Sequence, residues 1–144
     1  MFHAIFQTHL DALRQRNMNG IYMKIDSLCQ TLNGHPTPFL TITAAETDEP
    51  EENYENPFSP YNDQGDENLM SAIPNIPICD RRVIVFSSRV HPGETNASWI
   101  MHGLLEYLTS QTREAQLLRM NYVFKIIPML NVEGVIHGRY QFSI

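Results

Sequence analysis

Two apolar runs, "RRVIVFSSRV" at residues 81–90 and "YVFKIIPML" at 122–130, constrain this chain more than any other feature. Each is rich in β-branched and aromatic residues and too continuous to alternate between a wet and a dry face, which is the pattern of a strand covered on both sides. Between them Ala97, Ile100, Met101, Leu104, Leu105 and Leu108 recur at helical spacing and predict a helix from about Thr95 to Thr109; "TREAQLLRM" adds a shorter helical stretch. Strand, helices and strand make a βαβ unit, and the right-handed crossover rule sets its two strands parallel.

Upstream, Phe2, Ile5, Phe6, Leu10 and Leu13 predict an amphipathic helix that closes near Gly20. "IYMKIDSLCQT" and "PTPFLTIT" read as two extended runs, and the Asn33-Gly34 pair between them is a strong hairpin signal. The expected fold class is therefore α/β, a mixed sheet with flanking helices in which a hairpin leads into the βαβ unit. A length of 144 residues, 42% of them hydrophobic, suits one domain with a sizeable core.

The net charge of −6 is unevenly placed. Nine of the sixteen acids lie between Glu46 and Glu67, where there is no Lys or Arg; the other seven face all ten bases and leave +3. Residues 46–75 thus read as an acidic insertion, rich in Pro, Asn and Glu and without periodicity, and are expected to be disordered. A solvated linker and a dedicated acidic binding segment are the two readings of such a run, and the first is the commoner. No basic stripe with interleaved aromatics is present to neutralise phosphates, which argues against nucleic acid as a partner. No apolar stretch approaches the roughly 20 residues of a membrane span, and polar residues interrupt any signal-like start, so a cytoplasmic protein with no membrane partner is expected. Cys29 and Cys79 stand alone, without CxxC or CxxH spacing, and fit reduced thiols.

"RVHPGE", residues 89–94, follows the first apolar run and precedes the predicted helix. In open α/β sheets ligands bind beyond the carboxyl ends of strands, and His91 sits at such an end with Glu94 in the turn that follows. Pro92 and Gly93 suit a sharp strand-to-helix turn. An imidazole nitrogen and a carboxylate oxygen aimed at one point are a zinc donor set. On spacing alone a second reading stands beside it: His-x-x-Glu recurs by chance, and Glu94 would also favour the positive end of a helix. Of the other histidines, His137 lies just past the second strand, as a third ligand or as plain surface. His102 is roughly 12 Å along the helix from Glu94, too far to join. His35 falls in the hairpin turn, and His3 and His9 on the leading helix.

"SSRVHPGETNASWIMHGLLEYLTS" followed by "AQLLRMNYVFKIIPMLNVEGVIHG" resembles the cytosolic carboxypeptidase branch of the carboxypeptidase A-like zinc exopeptidases, and "SLCQTLNGHPTPFLTIT" resembles that family's entry hairpin. The resemblance covers nearly the whole chain outside the acidic insertion. It implies the N-terminal portion of a zinc-carboxypeptidase-type mixed sheet, with His91 and Glu94 as two ligands of a Zn2+ cofactor. It also implies removal of C-terminal residues from peptide or protein tails, in this branch chiefly glutamates of acidic tails such as tubulin's.

Four departures qualify what the resemblance implies. Family members continue into an Asp-Leu-Asn-Arg segment that grips the substrate carboxylate, and later into a third zinc histidine and a general-base glutamate; none of these occurs in the 144 residues. Asn131-Val132-Glu133-Gly134 stands where the family usually reads Asn-Pro-Asp-Gly, and Gln141 where the branch usually has arginine. The branch's β-rich N-terminal domain has no counterpart here. The expectation is a truncated catalytic domain over residues 1–144, without a catalytic base of its own, substrate-binding residues unassigned, and inactive alone. The alternative is a non-catalytic binding or regulatory fragment that retains the scaffold.

Overall fold

The computed structural model describes residues 2–16, 18–45 and 76–140; the acidic insertion expected at 46–75 lies outside them, as does Gln141. Helix α1 (Phe2–Gln15) leads into the hairpin of β1 (Ile21–Gln30) and β2 (Pro36–Ala44). A 3-10 turn, Ile78–Asp80, precedes β3 (Arg82–Ser87), after which come α2 (Thr95–Leu108), α3 (Arg113–Asn121), β4 (Tyr122–Ile127) and the short α4 (Val132–Ile136). Among the described residues the strands form one mixed sheet in the order β1-β2-β4-β3.

The hairpin turns where expected. Gly34 has φ +83°, a left-handed conformation that glycine adopts without a Cβ penalty, and its N–H donates to the Thr31 carbonyl. The ladder is antiparallel from Ile21↔Ala44 to Ser27↔Pro38, with a register irregularity between Ser27 and Gln30 before the turn. Strand β4 pairs antiparallel with β2 and parallel with β3, from Arg82↔Tyr122 to Ser87↔Ile127. The α/β fold, with hairpin and βαβ unit, is thus present.

One face of the sheet carries the core. Leu40 lies opposite Ile126 and Ile42 opposite Phe124, and Phe6, Leu10 and Leu13 of α1 join Met101, Leu105 and Leu108 of α2 in the same buried cluster. Leu40, Ile42, Leu105 and Ile126 are fully buried, each such side chain contributing about 1.5–3 kcal/mol relative to an exposed one.

Two expectations about burial need correction. The run at 82–87 was expected to be covered on both faces, yet Val83 is 59% and Val85 63% exposed, because among the described residues their face of β3 is left largely uncovered while Ile84, on the other face, packs on the core. The second run does meet the expectation: β4 sits between β2 and β3, with Val123, Phe124 and Ile126 buried. On α2 the buried positions are Ser98, Met101, Leu105 and Leu108, so Ile100, expected to face inward, is 73% exposed. The buried stripe begins at a polar residue, Ser98, which a pattern of apolar positions passes over.

Buried cations tie the segments. Arg119 donates from Nη1 to the Leu108 carbonyl at 2.7 Å and the Ser110 carbonyl at 2.8 Å, satisfying carbonyls at the C-terminus of α2 that have no intrahelical partner. Arg81 donates to the Ala44 carbonyl and Thr43 Oγ1, both at 2.7 Å, and through Nε to the Ile76 carbonyl at 2.6 Å. Cys29 and Cys79 are free and exposed. Among the described residues no helix is long and apolar enough to cross a membrane.

Candidate metal centre

The parallel pair β3 and β4 delivers two chain segments side by side at their carboxyl ends. Beyond the last ladder pair, Ser88 N–H donates to the Ile127 carbonyl, Leu130 N–H to the Ser88 carbonyl and Asn131 N–H to the Arg89 carbonyl. These bonds fix the "HPGE" turn against the start of α4. Within the turn Glu94 N–H donates to the His91 carbonyl at 3.2 Å, an i to i+3 bond that holds the two Cα atoms within about 7 Å of each other.

Arg89 braces this turn from beneath. Its φ of +54° is left-handed, a conformation that costs a non-glycine residue about 1 kcal/mol or more and bends the chain sharply out of β3. Its guanidinium, 3% exposed as part of the whole residue, donates to the Pro92 carbonyl and to Ser98 Oγ, both at 2.6 Å, so one side chain joins the turn to the first turn of α2. Charge-assisted bonds of this kind are the strong ones, contributing about 1.5–3 kcal/mol each. Burial lowers the guanidinium's pKa, but arginine stays cationic in proteins.

Two glycines leave room for the close approach. A Cβ on Gly93 would lie 2.5 Å from the Tyr140 ring, and Gly93 N–H donates to the Tyr140 carbonyl. A Cβ on Gly134 would lie 2.5 Å from Pro92 Cγ and 2.8 Å from Asn131 Oδ1. Asn131 caps α4 by accepting from Gly134 N–H, while its amide donates to the Val90 carbonyl. The "NVEG" and "HPGE" segments are therefore built against each other.

His91 is half-buried in this turn and Glu94 is exposed at the N-cap position of α2. At that position its carboxylate faces the positive end of α2, as the helix-end reading has it, without a side-chain hydrogen bond to the cap. One nitrogen and one oxygen donor on a single braced turn fit two places of a zinc coordination sphere. Among the described residues no group of three His, Cys, Asp or Glu includes either of them.

His137 does not complete the site. Its Nε2 lies 3.0 Å from Glu133, four residues earlier across α4. Glu133 in turn accepts from Thr31 Oγ1 at 2.7 Å and from Asn33 Nδ2 at 2.9 Å. These two hydrogen bonds, Thr31's first, bring its pKa down to about 2. Glu133 thus ties the hairpin turn to α4, a role its sequence position did not suggest.

Comparison with known proteins agrees with this architecture. Residues 8–143 match the family described as zinc carboxypeptidase. The chain is 43% identical over 143 residues to human cytosolic carboxypeptidase 4, covering 99% of itself and 11% of that protein, and 42% identical over 143 residues to chicken cytosolic carboxypeptidase 1, covering 10% of it. In fold it is similar to a metallo-carboxypeptidase from Burkholderia cenocepacia, with a TM-score of 0.65 at 22% identity, over 96% of this chain and 29% of that one. The chain accordingly spans about a tenth of the length of these curated relatives. With the family matched across nearly all of its residues, the chain belongs to the zinc carboxypeptidases.

Proposed function

We propose that this chain is part of a zinc-dependent metallocarboxypeptidase of the cytoplasm, with His91 and Glu94 as two protein ligands of the zinc. Its substrates on this reading are C-terminal residues of peptide or protein tails, glutamates of acidic tails such as tubulin's above all. The observation that carries the reading is the placing of His91 and Glu94 on one hydrogen-bonded turn at the end of β3, braced by Arg89. The relatives named cytosolic carboxypeptidases support the compartment and the reaction class.

Zinc in such a site supplies Lewis-acid polarisation of a carbonyl and lowers the pKa of water to about 7. The chain's own residues do the holding: His91 offers nitrogen, Glu94 oxygen, and Arg89 keeps the turn between them fixed. As a ligand, Glu94 is not available to move protons. Glu133 cannot take that part at neutral pH, since a carboxylate with a pKa of about 2 is too weak a base. Hydrolysis further requires a positioned base and a cation for the substrate's terminal carboxylate, each contributing orders of magnitude in rate. The 144 residues alone are therefore proposed to be an inactive piece of the catalytic domain.

The test is release of free glutamate from a polyglutamate-tailed peptide. A longer form carrying the family's Asp-Leu-Asn-Arg segment, later histidine and glutamate is expected to release it, and His91→Ala in that form to abolish release. Undiminished turnover by His91→Ala, or metal-dependent release by the 144-residue chain, would overturn the assignment.

A further inference from the structure

A second group of donors lies between α1 and α2. His102 and Glu106 are four residues apart on α2 and so share one face of the helix, and His9 of α1 meets them there. One ligand atom from each of the three can be chosen so that all lie within 4.8 Å of one another. His9 Nδ1 is 3.4 Å from Glu106 Oε1, and the two imidazoles face each other with centroids 3.7 Å apart.

From this convergence we infer a zinc-binding site formed by His9, His102 and Glu106, separate from the "HPGE" turn and joining α1 to α2. Two imidazoles and one carboxylate are a zinc donor set that leaves a fourth place for water. His9 is 8% exposed, and its Nε2 is buried without a hydrogen-bond partner, so the ring is held in the protein by packing alone on that side. Burial and the neighbouring His102 lower the pKa of His9, which favours the neutral ring a metal requires. Arg16 keeps Glu106 ionised, donating to both of its oxygens at 2.6 and 2.8 Å.

Occupancy requires two small rearrangements. A tetrahedral zinc with bonds of about 2.0–2.2 Å sets its ligand atoms about 3.4 Å apart, so the imidazoles must rotate out of their stack to converge. Arg16 must yield Glu106 Oε1, which its own position allows: its side chain is 44% exposed and can keep Oε2 or turn to solvent. The signal in the sequence was the His102–Glu106 spacing; the partner, His9, is 93 positions away from His102 and is found only by folding.

The experiment is zinc titration of the 144-residue chain by calorimetry, with melting temperature as a second readout. His91→Ala, which removes the first candidate ligand, is expected still to bind one zinc. Adding His102→Asn, at a half-exposed position, should weaken that binding at least tenfold. At zinc one hundredfold above Kd the melting temperature of His91→Ala should rise by about 10 °C, and that of the double variant should not. Equal zinc affinity in the two, with metal-free melting temperatures that coincide, would overturn the site. Loss of all zinc binding in His91→Ala alone would also overturn it, while leaving the "HPGE" assignment standing.

Discussion

Replacing Gly134 by alanine tests whether the close approach of α4 to the "HPGE" turn is a requirement of the fold. The added Cβ would lie 2.5 Å from Pro92 Cγ, 2.8 Å from Pro92 Cβ and 2.8 Å from Asn131 Oδ1. Comfortable carbon contacts begin near 3.5 Å, so the overlap is on the order of 1 Å. Neither neighbour gives way easily. Pro92 is a rigid ring whose carbonyl is held by Arg89, and Asn131 is engaged at both ends of its amide. Overpacking of this kind costs about 1–3 kcal/mol, against which alanine gains up to about 1 kcal/mol over glycine in a helix. The net expectation is a loss of about 1–2 kcal/mol in urea unfolding with unchanged m-value. Gly103, inside α2 with nothing within 4 Å of its Cβ position, is the control, and Gly103→Ala should stabilise by about 0.5–1 kcal/mol. If Gly134→Ala were as stable as the parent, or shifted in the same direction as Gly103→Ala, the claim that these segments are built against each other would be wrong.

Two further outcomes follow from the structure. The pKa of Glu133 is depressed to about 2 from an ordinary value near 4.5, so its contribution to stability is complete above pH 4.5 and is lost as pH falls toward 2; the difference in urea midpoint between the parent and Glu133→Gln should therefore be largest near pH 7 and shrink at pH 3. Val85→Lys on β3 should leave stability within about 0.5 kcal/mol, since the side chain is 63% exposed; a loss of about 2 kcal/mol or more in urea unfolding would show that this side chain is packed.

What could be read from the sequence was whatever depends on neighbours in the chain. The Asn33-Gly34 turn needs one glycine at positive φ, and the parallel pairing of β3 with β4 follows from crossover handedness, so both were legible. The strand-end position of His91 and Glu94 was legible for the same reason. Burial of β3 was not, because an apolar run states what a strand can bury and not what covers it. The Arg89 brace was missed because an arginine at the end of an apolar run looks like surface charge until its left-handed backbone turns it inward. The link from Thr31 and Asn33 to Glu133 spans about a hundred positions, beyond the reach of any local pattern.

Arg81, just before β3, also reaches the end of β2, a strand that is not the neighbour of β3 in the sheet. One guanidinium grips the carbonyl of Ala44 at the end of β2 and that of Ile76 shortly before β3, so two points of the chain 32 positions apart are held by one side chain. The clasp thus makes one side chain a shared anchor: removing Arg81 would release both carbonyls together, and the end of β2 would lose its tie to the approach to β3 in the same step.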